Sequence, residues 1–152
     1  MSTGILSCVE VCKRGVWEYL PDPLFPNWEF KYFPNKQAMT CEPLQSQNYS
    51  LFGFLSGVRG EMDPLKEPVG LPKDISDPAK KYLSQSHFFC HSFYTLKELT
   101  KVNYTRRVSH LGKETLNDVL GDEYFNMIKT LKKYCASTVR DCSKIRVLFC
   151  FD

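Results

Sequence analysis

The sequence has no long apolar run, and its start lacks the pattern of a secretory signal. Its apolar segments are shorter than the ~20 residues that a membrane-spanning helix needs. A signal peptide would begin with basic residues followed by an apolar stretch, and the first residues do not read that way. We therefore expect a cytoplasmic protein that makes no membrane contact.

Several short motifs that mark enzymes are also missing. The chain has no glycine-rich GxGxxG or GxxxxGK[ST] segment, no GxSxG, no HExxH and no CxxC pair. These absences remove the best-marked dinucleotide, P-loop, hydrolase and zinc-protease sites from consideration. We predict no cofactor and no metal.

The chain has little excess of charge of one sign. Twenty Lys and Arg against 17 Asp and Glu give a net charge of +3, which does not favour nucleic acid as a partner. Residues 101–152 contain ten basic and six acidic residues, so this third carries +4 and the rest −1. The excess indicates a solvated basic face, and the alternative is an anion-binding surface.

The cysteines do not form a disulfide pattern. There are seven, an odd number, at the irregularly spaced positions 8, 12, 41, 90, 135, 142 and 150. Disulfide frameworks use even numbers at regular-looking spacings, so we predict free thiols in a reducing compartment. Several should be buried as small apolar residues.

What the chain does have is aromatic residues, at 14%, and one apolar segment around which the rest is arranged. In residues 48–60, NYSLFGFLSGVRG, the apolar positions recur with the spacing of a broad helical stripe. Asn48 or Ser50 would cap the first turn, and Gly60 would end the helix. Arg59 is then the only charge, in the last turn.

The remaining pattern predicts a single α+β domain over residues 1–152, with a small mixed or antiparallel sheet and three to four helices. The predicted strands are a hairpin (5–11 and 16–20, joined by a three-residue turn), a buried strand at 86–94 and a central strand at 144–151. Further helices are expected at 77–84, 96–102 with a Thr95–Glu98 capping box, and 113–135, which Gly121 and Asp122 divide.

Residues 21–47 differ from the rest of the chain, with five prolines among many aromatic residues. Prolines break regular structure, although WEFKYF could form a short edge strand. We expect the segment to pack on the core and cover one side of it. The alternative is a lid.

The histidines do not suggest a metal site or a catalytic pair. His87 and His91 are four residues apart, which on a strand separates them by about 13 Å, too far for one ion. Catalysis by Cys90 or Cys41 with His110 is formally possible, but nothing in the sequence places them together. His91 and Ser92 resemble half of a two-histidine phosphoesterase motif, and the second tripeptide is missing.

A binding site for a small anion is the more economical hypothesis. Arginine makes bidentate contacts with phosphate, and aromatic rings stack on bases. The alternative is that Arg59 pairs with Glu98 or Asp74 and holds the loops in place. The candidate ligand-binding residues are Tyr49, Phe52, Arg59, His91, Ser92, Arg106 and Arg107, with Trp28 as a further stacking ring.

Four segments carry a resemblance to a known family: residues 48–60, EPVGLPKDIS (67–76), HSFYTLKEL (91–99) and IRVLFCFD (145–152). In sequence and order they resemble motifs of a family of small bacteriophage-encoded proteins. The resemblance implies a phage accessory protein in the host bacterial cytoplasm, and it supplies no catalytic residue. Where that family has HSHS, this chain has Cys90-His91-Ser92-Phe93, which weakens any mechanism that needs two histidines.

Three functional hypotheses follow. The leading one is a non-enzymatic phage accessory protein that binds a nucleotide-type anion, a host immune signal, and so blunts defence. The second is a phosphoesterase or nucleotide-cleaving enzyme that uses His91 as acid or base and Arg59 on phosphate. The third is an inhibitor of a host protein that uses residues 21–47 as its contact surface. The sequence leaves a homo-oligomer open.

Overall fold

The computed structural model describes residues 2–20, 24–25, 42–60, 62–109 and 112–152, and it has one four-stranded antiparallel sheet with helices on both faces. The predicted α+β class is confirmed. The strands are β1 (Ile5–Lys13), β2 (Val16–Tyr19), β3 (Phe89–Thr95) and β4 (Ile145–Phe151). The helices are α1 (Tyr49–Ser56), α2 (Asp77–Leu83), α3 (Leu96–Thr100), α4 (Leu116–Val119) and α5 (Asp122–Ser137), with a 3-10 helix at Cys142–Lys144.

The predicted N-terminal hairpin is present, but its turn has two residues rather than three. Lys13 pairs with Val16, so only Arg14 and Gly15 form the turn. Both residues have positive φ, 55° and 80°. Such turns match the right-handed twist of the paired strands, which explains the tight connection.

The sheet order is β2-β1-β4-β3, so β4 is a central strand as predicted. All seven of its residues are buried, because both its faces are covered. β3 begins at Phe89, three residues later than predicted, and only Ser92 and Tyr94 of it are buried, because it lies at the edge of the sheet. The early start was wrong because residues 85–88 form a turn, in which the Phe88 amide donates a hydrogen bond to the Gln85 carbonyl (3.1 Å). The pairing with β4 is also irregular between Phe89 and Ser92, where Cys90 has φ 52°.

The central apolar segment forms α1, which is shorter than predicted. The Asn48 side chain caps it by accepting a hydrogen bond from the Leu51 amide (3.1 Å), as expected. Gly57, with φ 72°, ends the helix in the left-handed region, so the predicted end at Gly60 is wrong. Arg59 therefore lies beyond the helix and not in its last turn.

Two apolar clusters lie on opposite faces of the sheet. The larger cluster packs α1, α3, α4 and α5 against one face, including Val9, Phe149 and Phe151. The smaller cluster packs α2 against the other face, where Cys8 and Leu148 are buried. Because side chains alternate along a strand, neighbouring residues of β1 and β4 contribute to different clusters.

The other helices agree with the sequence patterns apart from their ends. α2 begins at Asp77 as predicted and ends one residue early, at Leu83, and the predicted helix at 96–102 ends at Thr100. The Thr95–Glu98 capping box is present. The predicted division of the last helical region occurs at Gly121, which has φ 86° and directly precedes α5.

The predictions for WEFKYF and for a cover or lid at 21–47 fall mostly outside the described residues, as do Trp28, Cys41 and His110.

Candidate functional site

Arg59 packs against the start of the chain. Its Nε donates a hydrogen bond to Thr3 Oγ1 (3.0 Å), and its guanidinium carbon lies 4.7 Å from the centre of the Tyr49 ring. The two carboxylates that we considered as its partners are engaged by other cations. Asp74 contacts Arg146 (2.9 Å) and Glu98 contacts Lys66 (3.0 Å).

The two predicted stacking rings of α1 differ in their exposure. Phe52 is fully buried, with its ring centre 5.0 Å from that of Phe151, so it contributes to the core in this structure. Tyr49 is only half-buried. Its hydroxyl accepts hydrogen bonds from the Thr3 amide (3.3 Å) and from Gln47 Nε2 (2.9 Å).

His91 and Ser92 contact a different part of the molecule. His91 Nε2 lies 2.6 Å from the carbonyl oxygen of Leu83, in α2. A carbonyl only accepts, so Nε2 carries the proton in this arrangement. Leu83 belongs to the smaller cluster, whereas Phe52 belongs to the larger one. His91 and the α1 residues are thus on opposite faces of the sheet, and the structure does not bring His91 together with Arg59.

Ser92 is fully buried, and its hydroxyl accepts a hydrogen bond from the Val69 amide (3.3 Å). The neighbouring Gly70 amide donates to the His91 carbonyl (2.8 Å). These contacts attach the proline-rich loop to the exposed edge of β3. The pair His91 and Ser92 therefore has a visible structural role here.

Arg106 and Arg107 lie in an exposed turn after α3. The Arg106 carbonyl accepts a hydrogen bond from the Leu116 amide (3.1 Å), and Arg107 forms an isolated bridge with Thr115. Within the described residues, Arg59, His91 and the pair Arg106 and Arg107 thus each contact different neighbours. The structure does not bring these four predicted cations into one site.

A different group of cations does converge, in what we call the basic cleft. This cleft of about 560 Å³ lies between the hairpin turn, the segment after α5 and the start of β4. It is lined by Cys12, Lys13, Arg14, Thr138, Val139 and Lys144. Its three basic residues are exposed, and among the residues that the structure describes no carboxylate lines it.

The sheet topology explains why these cations meet. β1 pairs antiparallel with β4, and Val11 lies opposite Ile145. The end of β1 and the hairpin turn, with Lys13 and Arg14, therefore lie beside Lys144, which directly precedes β4. Roughly 130 residues separate the two contributions in the sequence. In the sequence, this site was indicated by the excess of basic residues after residue 100, one of which is Lys144.

Asp141, an acidic residue two positions after Val139, is held by its own turn. Its carboxylate accepts hydrogen bonds from the Ser143 hydroxyl (2.6 Å) and amide (2.9 Å). These hydrogen bonds, with smaller contributions from the charges of Lys144 and Lys97, lower the pKa of Asp141. Asp141 stays ionised at neutral pH, so it partly offsets the positive potential near the cleft.

A second cleft, of about 600 Å³, runs along α5 and contains two lysines, Lys129 and Lys133. Among the described residues, no group of three or more His, Cys, Asp or Glu side chains has an arrangement that could hold a metal ion. No helix in the described ranges has the length and apolar character required to cross a membrane.

Comparison with protein-family models, with curated proteins and with solved structures gives no match. The resemblance to bacteriophage proteins therefore stays a prediction from four segments of the sequence.

Proposed function

We propose that the protein binds a small phosphate-bearing anion in the basic cleft, without chemical conversion of the ligand. The observation that supports this proposal is the convergence of Lys13, Arg14 and Lys144 around one concavity with no carboxylate in its lining. Its volume of about 560 Å³ can hold a small anion, and because the cleft is shallow and open to solvent the ligand would stay largely exposed. The bound anion would offset charge repulsion among the three cations.

The chemistry of the lining favours recognition of phosphate over recognition of a base. Arg14 can make a planar, two-pronged contact with phosphate oxygens, while Lys13 and Lys144 act as point charges. The other lining residues, Cys12, Thr138 and Val139, include no aromatic ring on which a base could stack. Affinity should therefore rise with the number of phosphates and depend little on the base.

Binding should also depend strongly on salt, because the three cations are exposed. Charges at a protein surface are screened beyond about 8 Å at physiological ionic strength. We expect affinity for inorganic tripolyphosphate to fall as sodium chloride is raised from 50 to 300 mM, by about tenfold or more.

Isothermal titration calorimetry with tripolyphosphate, ATP and AMP tests the proposal. The variant Arg14→Asn/Lys144→Gln should weaken tripolyphosphate binding about tenfold, equivalent to about 1.4 kcal/mol. Asparagine is chosen because position 14 has φ 55°, which asparagine tolerates.

The matched control is Lys129→Gln/Lys133→Gln, which removes the same charge from the α5 cleft and should change affinity less than twofold. Equal losses in the two double variants would show nonspecific attraction and overturn the proposal. Absence of binding to the unmodified protein at millimolar ligand would also overturn it.

The resemblance to bacteriophage proteins suggests a biological context for this activity, in which the protein sequesters a nucleotide-type immune signal of the host. Its supports are the four segments that resemble motifs of that family and the basic cleft. Chromatography of ATP after incubation tests the non-enzymatic part, because a binding protein returns the nucleotide intact. Appearance of ADP or AMP would favour the phosphoesterase hypothesis instead.

A further inference from the structure

Two cysteine thiols face each other across the segment that contributes Thr138 and Val139 to the basic cleft. Cys135 lies in the last turn of α5, and Cys142 opens the 3-10 helix that follows. The Cys135 thiol donates a weak hydrogen bond to Cys142 Sγ, with 3.8 Å between the sulfurs. Cys135 is only 4% exposed, whereas Cys142 is half-buried.

From this geometry we propose that Cys135 and Cys142 form a reversible disulfide. A disulfide bond is about 2.05 Å long, so the sulfurs must approach by about 1.8 Å. Hydrogen bonds from the Thr138 and Arg140 amides to the Cys135 carbonyl (3.3 and 2.8 Å) hold the segment between them, so the movement would come from rotation of the two side chains about their Cα–Cβ bonds.

The different surroundings of the two thiols decide the order of the reaction. Burial, and then the contact with Cys142, raise the pKa of Cys135, which keeps it as a thiol. Cys142 is the thiol that a small molecule can reach, so it attacks first, as the thiolate. The cations Lys13, Arg14 and Lys144 would attract an anionic disulfide such as oxidised glutathione to this side of the molecule.

The exchange balances with oxidised glutathione as the oxidant. The Cys142 thiolate attacks one glutathione sulfur, which breaks the glutathione disulfide and releases one glutathione thiolate. Cys135 then loses its proton to solvent and attacks the Cys142 sulfur, which releases the second glutathione. The protein loses two electrons and two protons, and oxidised glutathione becomes two molecules of reduced glutathione.

The disulfide would also act on the basic cleft, a consequence that rests on the proposed function. Thr138 and Val139 belong to the cleft lining and lie between the two cysteines in the chain. Closing the bond would fix this wall and reduce the ordering that a ligand must otherwise impose. We expect oxidation to tighten tripolyphosphate binding about threefold.

Peptide mapping gives a direct test. The full-length protein is incubated with oxidised glutathione, quenched with iodoacetamide and digested with trypsin, which cuts after Lys133, Arg140 and Lys144. We expect peptide 134–140 linked to peptide 141–144, two hydrogen masses lighter than the sum, and its complete loss after dithiothreitol. Cleavage at Arg140 makes the cross-link directly visible.

Matched serine variants provide the controls. Cys135→Ser and Cys142→Ser should abolish the linked peptide, with folding checked by circular dichroism, and Cys90→Ser should leave it unchanged. A stable glutathione adduct on Cys142 without the cross-link would overturn the proposal, as would a cross-link to another cysteine.

Calorimetry on the reduced and oxidised protein separates this proposal from the proposed function. If the cross-link forms but both forms bind tripolyphosphate equally, only the coupling to the cleft is overturned. If the cross-link forms and neither form binds, the proposed function is overturned while the disulfide stands.

Discussion

Removal of one member of the buried ion pair between Arg146 and Glu10 should destabilise the protein severely. Arg146 Nε and Nη2 both donate to Glu10 Oε1, at 2.8 and 2.6 Å, and the other Glu10 oxygen accepts a hydrogen bond from the Ser76 amide at 2.7 Å. Glu10 is 0% exposed and Arg146 is 3% exposed. The pair attaches the loop before α2 to the middle of the sheet.

The variant Arg146→Met would leave the Glu10 carboxylate buried without a counter-charge. Removal of one partner from a buried pair costs about 3–5 kcal/mol, because the remaining charge is desolvated and has no opposite charge beside it. For a chain of this length, that loss corresponds to a fall of roughly 6–20 °C in melting temperature. Asp74→Asn serves as the control. The Asp74 side chain is 66% exposed, so its contact with Arg146 contributes at most about 1 kcal/mol.

Urea unfolding followed by far-UV circular dichroism is the suitable assay. Tryptophan fluorescence is less suitable, because the Arg146 guanidinium lies 3.8 Å from the Trp17 ring centre and the substitution would alter the signal directly. The double variant Glu10→Gln/Arg146→Met should recover about 2 kcal/mol of the loss, since it removes the unpaired charge and keeps an acceptor for Ser76. If Arg146→Met costs no more than Asp74→Asn, the reasoning is refuted.

Three further predictions concern local contacts. Thr95→Ala should cost about 0.5–2 kcal/mol in urea unfolding, since it removes the cap of α3, and an unchanged midpoint would contradict this. Burial opposes ionisation of Glu98, but hydrogen bonds from Thr95 and Lys66 prevail and lower its pKa. The stabilising contribution of Glu98 is therefore present above its unfolded-state pKa and is lost as the pH falls through its lower folded-state pKa. A pH series of thermal melts on the parent protein and on Glu98→Gln measures this loss. Gly53→Ala should lower the melting temperature although alanine favours helices, because the added Cβ would lie 3.3 Å from the Met62 amide nitrogen. A rise in melting temperature would show that the close approach to Met62 does not destabilise the variant.

Patterns that act within a few residues were predicted from the sequence with good accuracy. The Asn48 cap, the Thr95–Glu98 capping box and the β1–β2 hairpin all arise from backbone and side-chain groups that are close in the chain. The central position of β4 was also predictable, because a strand that is apolar on both faces must be covered on both. Most errors concerned the ends of elements, such as the end of α1 at Gly57, where neighbouring glycines gave alternative helix ends. The others were the length of the hairpin turn and the burial of β3, which lies at the edge of the sheet.

The candidate site was far less predictable. Arg59 and His91 were expected to converge, but the alternation of side chains across the sheet places their neighbours on opposite faces. Local sequence patterns do not predict on which face of the sheet α1 or α2 packs. The same limit applies to Arg146, whose partner Glu10 is 136 residues away in the chain.

The sequence by itself determined the α+β class, the identity of the main core segments and the local caps, because periodicity and capping depend on residues within one or two turns of each other. Only the tertiary structure decided that Lys13 and Arg14 meet Lys144, and that two of the thiols approach each other. The β1–β4 pairing brings the first group together, and the turn between α5 and β4 brings together the second. The physical reason is that sheet register and helix packing join residues that no local interaction connects.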